Sequence, residues 1–327
     1  MSEKYETIVP SEPDAGERLQ WVSWLRSAAP YVHLHHGRTF VISFAGEVVA
    51  DKTLLNHLVM DVSLIASMGM RVVLVHGSRP QIEELMGLRK LEGQFYKGVR
   101  ITGPQELECV KEACGETRFD IEAAFSQGLP NTPMQHSRIK VVSGNFVTAR
   151  PMGIIDGVDY LHTGVVRKVD AESIQDLLSR GNIVLVSPTG FSPTGEAFNL
   201  TTEDVATAIA VAIHADKLIL SVGVDGVRVR GKKQQDLTAQ QAQALIQSKQ
   251  VDDEDVYNLG YALRAIKGGV DRVHIVPYAM DGGILTELFT HDGVGTMIST
   301  ENMESLREAT IDDVAAIVKL LEPFEAE

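Results

Sequence analysis

Three short stretches of this chain carry residues whose types and spacing could do chemistry, and each follows an apolar run. Ala45-Gly46 closes the first run. Val75-His76-Gly77-Ser78-Arg79-Pro80 closes the second and opens a helical pattern. A strand, a glycine turn and a helix start together make an anion site, because free backbone N–H groups and the helix dipole point the same way. The same spacing also describes a tight strand-to-helix turn with nothing bound. The third stretch is Phe198-Asn199-Leu200-Thr201-Thr202-Glu203-Asp204. Asn199 and Glu203 could orient a ligand there, while Thr201 with Asp204 reads as a helix cap, which is the simpler account of the stretch.

Other constellations carry less. Gly226-Val-Arg-Val-Arg-Gly231-Lys232-Lys233 nearly spells a phosphate-binding loop, but Lys233 replaces the hydroxyl residue that would hold magnesium. The alternation of Val227 to Arg230 predicts a hairpin around a basic turn instead. His33, His35 and His36 have no spaced carboxylate or cysteine partner and read as a solvated segment, so no metal site is expected. Cys109 and Cys114 match no zinc or redox spacing, and a reducing cytoplasm is the default compartment. No Gly-x-Ser-x-Gly elbow occurs, so a serine hydrolase has no support.

The elements that must position these residues alternate. A short amphipathic helix is expected over 17–29, closed by Pro30 and carrying Trp21 and Trp24. Phe40 to Val49 and Arg71 to Val75 read as strands, with helices over 54–66 and 81–88. A hairpin at 96–102 precedes a long helix from Pro104 to about Gly128. Ile139 to Ala149 and Tyr160 to Val169 look like a paired excursion. Helices at 171–180, 203–214, 238–248, 254–267 and 283–290 then alternate with strands at 183–186, 217–222 and 273–276, and Thr296 to Ile298 is expected at the sheet edge. Strand and helix in alternation predict an α/β fold, a three-layer sandwich around a mainly parallel sheet. Residues 1–16 read as a disordered lead, 17–300 as one domain, and 301–327 as a linker followed by one helix of something further. In that last helix Thr310 and Asp313 resemble a capping box, and Ile311, Val314, Ile317, Val318 and Leu321 form an apolar stripe.

Composition bounds the partners. The chain has 327 residues, 44% hydrophobic and 23% charged, ordinary for a sizeable core. Its 44 acidic against 30 basic residues give a formal charge of −14, which repels phosphate backbones and makes nucleic acid an unexpected partner. Its apolar runs fall short of the roughly 20 residues a membrane span requires, so no membrane partner is expected.

Several separate blocks, in order, resemble the amino-acid-kinase domain of bacterial N-acetylglutamate synthases. They are Phe40-Val-Ile-Ser-Phe-Ala-Gly46, Val73-Leu-Val-His-Gly-Ser-Arg-Pro-Gln81, Val99-Arg-Ile-Thr102, Val142-Ser-Gly-Asn-Phe-Val147, Gly157-Val-Asp-Tyr-Leu-His-Thr-Gly164, Thr194-Gly-Glu-Ala-Phe-Asn-Leu200 and Glu287-Leu-Phe-Thr-His-Asp-Gly-Val-Gly-Thr296. The resemblance implies the amino-acid-kinase fold, related to acetylglutamate kinase, followed by a GNAT-type acetyltransferase that uses acetyl-CoA. Leu306 to Val314 looks like the opening of that second domain, here truncated. The kinases use two lysines against developing phosphoryl charge; these positions align with Ser43 and Asn258, and the organising aspartate aligns with Glu203. Losing both cations should lower phosphoryl transfer by several orders of magnitude. The resemblance therefore implies a vestigial kinase or N-acetylglutamate pocket at Gly46, His76, Gly77, Arg100, Asn199 and Glu203, with no catalytic residues and no cofactor in this chain. Active acetylglutamate kinase and a stand-alone arginine-binding scaffold are the alternatives.

What the resemblance leaves is regulation in arginine biosynthesis. Feedback arginine in related proteins binds beside the leading helix. The matching positions are Lys217, Glu287, Gly293 and Gly295, with Tyr31 just after the helix. Glu287 could take the guanidinium bidentately and Lys217 the ligand's carboxylate. The pattern departs at Gly282, where the kinases place a histidine five residues before the glutamate. In the family the leading helix interlaces with a partner's copy, which implies a homo-oligomer, a dimer or a hexamer, with Trp21 and Trp24 supplying aromatic anchors.

Overall fold

The computed structural model describes residues 15–127 and 139–300. The run Thr-Phe-Val-Ile-Ser-Phe at Thr39–Phe44 (β1) is apolar at nearly every position, as a parallel strand covered on both faces requires. It pairs in parallel with Arg71–His76 (β2) on one side and with Lys217–Val222 on the other. The full sheet also contains Val141–Ser143 (β3) and Ile183–Val186 (β4). Numbering Lys217–Val222 as β5, the later strands are Asp236–Thr238 (β6), Arg272–Pro277 (β7) and Thr296–Ser299 (β8). Their order is β6-β8-β7-β5-β1-β2-β4-β3, and β8 alone runs antiparallel to its neighbour β7 while pairing in parallel with β6.

Alternate residues of each strand enter two cores. Phe40, Ile42 and Phe44 point to one face; there they pack with Val59, Val62 and Ile65 of α3 (Lys52–Ser67), Ile121 of α5 (Pro104–Ser126) and Leu288 of α10 (Gly283–Phe289). Val41, Val73 and Leu218 point to the other, against Ile174 of α6 (Ala171–Ser179), Ile209 of α7 (Thr202–Ala212) and Leu259 of α9 (Asp253–Lys267). Each such side chain contributes about 1.5–3 kcal/mol on burial. Helices α2 (Gly46–Ala50), α4 (Arg79–Leu88) and α8 (Ala239–Gln247) complete the predicted three-layer sandwich. Among the described residues no helix is long and apolar enough to cross a membrane.

Several local expectations are corrected. The leading helix does not stop at Pro30: α1 runs Ala15–His35 with the proline inside it. The lost hydrogen bond costs about 3 kcal/mol in a helix interior, but Tyr31 and Val32 pack on the core around Phe40, Ile42 and Phe44, and His35 is buried. His35 is therefore not solvated. It stands edge-on to Phe40 and Phe289, and its Nε2 lies 3.0 Å from the Leu288 carbonyl. Thr201 occupies the cap position of α7, yet its side chain makes no cap bond. Asp204 is drawn away instead, accepting from the Val166 N–H at 3.1 Å and pairing with Arg264 at 2.6 Å. The strand at 296–299 is not the edge either, because the three-residue β6 lies outside it. Arg228–Val229 and Lys232–Lys233 pair antiparallel, the expected basic hairpin. The lead at 1–14 and the whole of 301–327 lie outside the described residues.

Candidate functional site

Lys217, Glu287, Gly293, Gly295 and Tyr31 line one cavity of about 80 Å³. It adjoins a wider cleft of about 540 Å³, and the two share Leu34, His35, Lys217 and Arg272. Each residue arrives on a different element. Lys217 opens β5, Tyr31 stands near the end of α1, Glu287 sits on the inner face of α10, and the glycines lie in the turn that enters β8.

A chain of hydrogen bonds crosses the cavity floor. The Lys217 ammonium donates to His274 Nε2 at 3.2 Å, and His274 Nδ1 donates to Glu287 Oε1 at 2.7 Å. The other carboxylate oxygen accepts from the backbone N–H groups of Val294 at 2.7 Å and Gly295 at 2.8 Å. A carboxylate has about four acceptor positions. Three are filled, so one N–H of a guanidinium can be accepted at Oε1, rather than the two-pronged fork expected from sequence. Gly293 has φ +60°, and a Cβ there would stand 2.5 Å from Glu287 Oε2. At Gly295 a Cβ would collide with the Ile275 carbonyl. Both positions need glycine because the turn is pressed onto the carboxylate and onto β7.

The electrostatics follow from this enclosure. Burial, with Arg272 close by, brings the Lys217 ammonium down to about 8. Burial, with Lys217 beside it, brings His274 down to about 4, so its neutral ring is the donor in the chain. Burial alone would raise the Glu287 carboxyl, but His274 and the two backbone N–H groups together hold it below the ordinary range. Asp236 and Asp292 stand at the exposed rim. The cavity thus has a cationic end at Lys217 and Arg272 and carboxylates at Glu287 and the rim. A small zwitterion with a cationic side chain suits it.

His274, Arg272, Asp236 and His35 were not read from sequence as site residues. A histidine inside the apolar run Arg272–Pro277 was the available signal. His274 also answers the departure at Gly282: an imidazole still meets Glu287, supplied from strand β7. Gly282, at φ +66°, instead opens α10.

The second group gathers in part. Gly77 and Gly46 touch directly: a Cβ on Gly77 would lie 2.8 Å from the Gly46 nitrogen. The Gln81 amide occupies this turn and donates to the Gly46 carbonyl at 2.9 Å. His76 is fully buried and lowered to about 4 by that burial; its ring bridges Ser187 at 2.9 Å and Ser78 at 3.1 Å. Arg100 turns to Glu83 at 3.2 Å and lies under Phe95, 4.6 Å from the ring centroid. Asn199 donates to Thr102 Oγ1 at 3.0 Å, and Thr163 links Thr102 to the Arg100 carbonyl. Glu203, in the first turn of α7, is raised by burial and by the neighbouring carboxylates Asp204 and Glu47. Ser43 and Asn258 are both buried. His76, Arg100 and Asn199 each have a partner within the protein. The two positions that the resemblance gives for the kinase lysines, Ser43 and Asn258, are uncharged where phosphoryl transfer needs cations.

Residues 38–277 match the amino acid kinase family. The chain belongs to that family. Within it, the chain is 55% identical to an amino-acid acetyltransferase of Ralstonia nicotianae over 316 residues, 96% of this chain and 70% of the relative. Two solved structures of N-acetylglutamate synthase from Neisseria gonorrhoeae are similar at 35% identity. One, with coenzyme A and N-acetyl-glutamate, has a TM-score of 0.79 and covers 94% of this chain and 70% of its own. The other, with coenzyme A and L-arginine, has a TM-score of 0.80 and covers 93% and 71%. The amino acid kinase fold is therefore established, and the relatives are amino-acid acetyltransferases.

Proposed function

We propose that this chain is the arginine-sensing and oligomerising domain of an N-acetylglutamate synthase. The parent protein transfers acetyl from acetyl-CoA to L-glutamate, and the acetyl transfer is carried outside residues 17–300. In this reading residues 301–327 lead into the transferase portion, and the vestigial kinase pocket performs no chemistry. One observation carries the proposal: five positions that a resemblance assigns to arginine binding converge on a single cavity with a cation at one end and carboxylates at the other. Support also comes from the Neisseria relative, solved with L-arginine. In this account Lys217 meets the ligand's carboxylate, Glu287 accepts one guanidinium N–H, and Tyr31 closes the cavity from α1.

The reading predicts that L-arginine raises the melting temperature of the unaltered chain. At a hundred times its dissociation constant it should add about 2.7 kcal/mol of stability. Glu287→Ala removes the group that holds both His274 and the 293–295 turn, and should show no arginine-dependent shift. Equal shifts in the two proteins would refute the site.

A further inference from the structure

Lys217 and Arg272 are register partners on the neighbouring parallel strands β5 and β7, and both line the two adjoining cavities. Like charges directly opposite on neighbouring strands repel, and here one of them is 94% removed from solvent: Lys217 keeps only 6% exposure. Neither cation has a carboxylate within ion-pairing distance among the described residues. Asp216, the acidic residue adjoining Lys217 in the chain, is committed to Arg38 at 2.8 Å and to the Thr39 N–H at 2.8 Å. Asp271 is exposed and acts on Lys217 only at a distance. Glu287 reaches Lys217 only through His274. Among the described residues, the single hydrogen bond of the ammonium goes to a neutral imidazole, and the half-buried guanidinium of Arg272 makes none. Glu287 and Asp236 line the same cavity and act on these cations at a distance. A buried ammonium beside a half-buried guanidinium, with no direct ion pair among the described residues, nevertheless remains a costly arrangement unless a ligand supplies one.

We infer that Arg272 is a ligand-binding residue that clamps, together with Lys217, the α-carboxylate of the amino acid held in the cavity. The inference rests on the arginine reading and extends it, since Arg272 was not among the residues carried over by resemblance. The clamp selects the carboxylate end of the ligand. Lys217 and Arg272 line both cavities whereas Glu287 lines only the smaller one, leaving the Glu287 end for the side chain. Because the two cations repel when the cavity is empty, removing one charge leaves the unliganded protein no less stable.

The test is a calorimetric titration of the full chain with L-arginine and with agmatine, which is arginine without its carboxylate. The unaltered chain should bind arginine at least tenfold more tightly. Arg272→Gln should narrow that preference by about tenfold, the worth of one charged hydrogen bond, without lowering the unliganded melting temperature. Arg272→Lys, which keeps the charge, should retain most of the preference. If Arg272→Gln discriminates as well as the unaltered chain, or loses unliganded stability as a structural residue would, the assignment is overturned. Equal affinity of the unaltered chain for both ligands overturns the clamp and leaves the arginine site standing. Failure to bind either one removes the arginine reading and the clamp with it.

Discussion

Lys217 shows how a single side chain can be poised by what surrounds it. Burial, with Arg272 nearby, brings its ammonium to about 8, while His274 gives it only a neutral partner. A bound carboxylate favours the charged form and therefore raises that value in the complex. The sign of the pH dependence follows from this. Arginine affinity should be constant below about pH 8 and fall as pH rises through it, by up to tenfold per unit until the value in the complex is reached. Proton uptake on binding near pH 8, seen as a buffer-dependent heat, is the accompanying signature. A flat affinity from pH 7 to 9.5 would contradict the role of Lys217. At this scale the sequence was legible only in part. Lys217 and Glu287 were visible through family blocks, because each sits in a distinctive string. His274 was not, since inside a buried strand it looks like one interruption of an apolar run. The saturation of Glu287 depends on a backbone turn whose N–H directions no residue type announces.

At the scale of elements, alternation of apolar periods predicted most of the main-sheet strands and their helices, because buried parallel strands and two-sided helices leave strong patterns. The strand expected to Val49 instead ends at Phe44, and Gly46–Ala50 is helical. The misjudged elements are the ones whose cause lies elsewhere in the fold. Pro30 ordinarily ends a helix, but here α10 and β1 cover the residues beyond it and α1 continues. The strand β6 has only three residues and exists because β8 offers it an edge. Thr201 and Asp204 have cap chemistry, but Arg264 and the Val166 N–H claim the carboxylate. The exposed face of α1 belongs at this scale too. Leu19 is 72% exposed and Trp24 53% exposed, apolar area that a second copy of the helix would cover. If the proposed assembly forms through this helix, deleting residues 1–30 gives a smaller species by light scattering with an intact circular dichroism spectrum. An unchanged mass would count against assembly through this helix.

At the scale of the whole molecule, the sheet end that the resemblance assigns to phosphoryl transfer holds side chains paired within the protein. Gln81 occupies the glycine turn, Arg100 is turned onto Glu83 and Phe95, and Asn199 is held by Thr102. With Ser43 and Asn258 at the positions that the resemblance gives for the lysines, ATP with N-acetyl-L-glutamate should give no phosphorylated product above the uncatalysed rate. Turnover by the purified chain would restore the kinase reading. The fold class was legible because strict alternation admits few topologies. The pairing of Gln81, Arg100 and Asn199 was not, since each partner lies far away in the chain or on another element. The open cavity lies instead beneath α1 and α10, where the leading helix, the sheet and the 293–295 turn meet.

The most direct test of that account is calorimetric titration of L-arginine into the intact chain at pH 7. Saturable binding of one arginine per chain, weakened or lost in Glu287→Ala, is the predicted result. Heats no larger than dilution across millimolar arginine would contradict it.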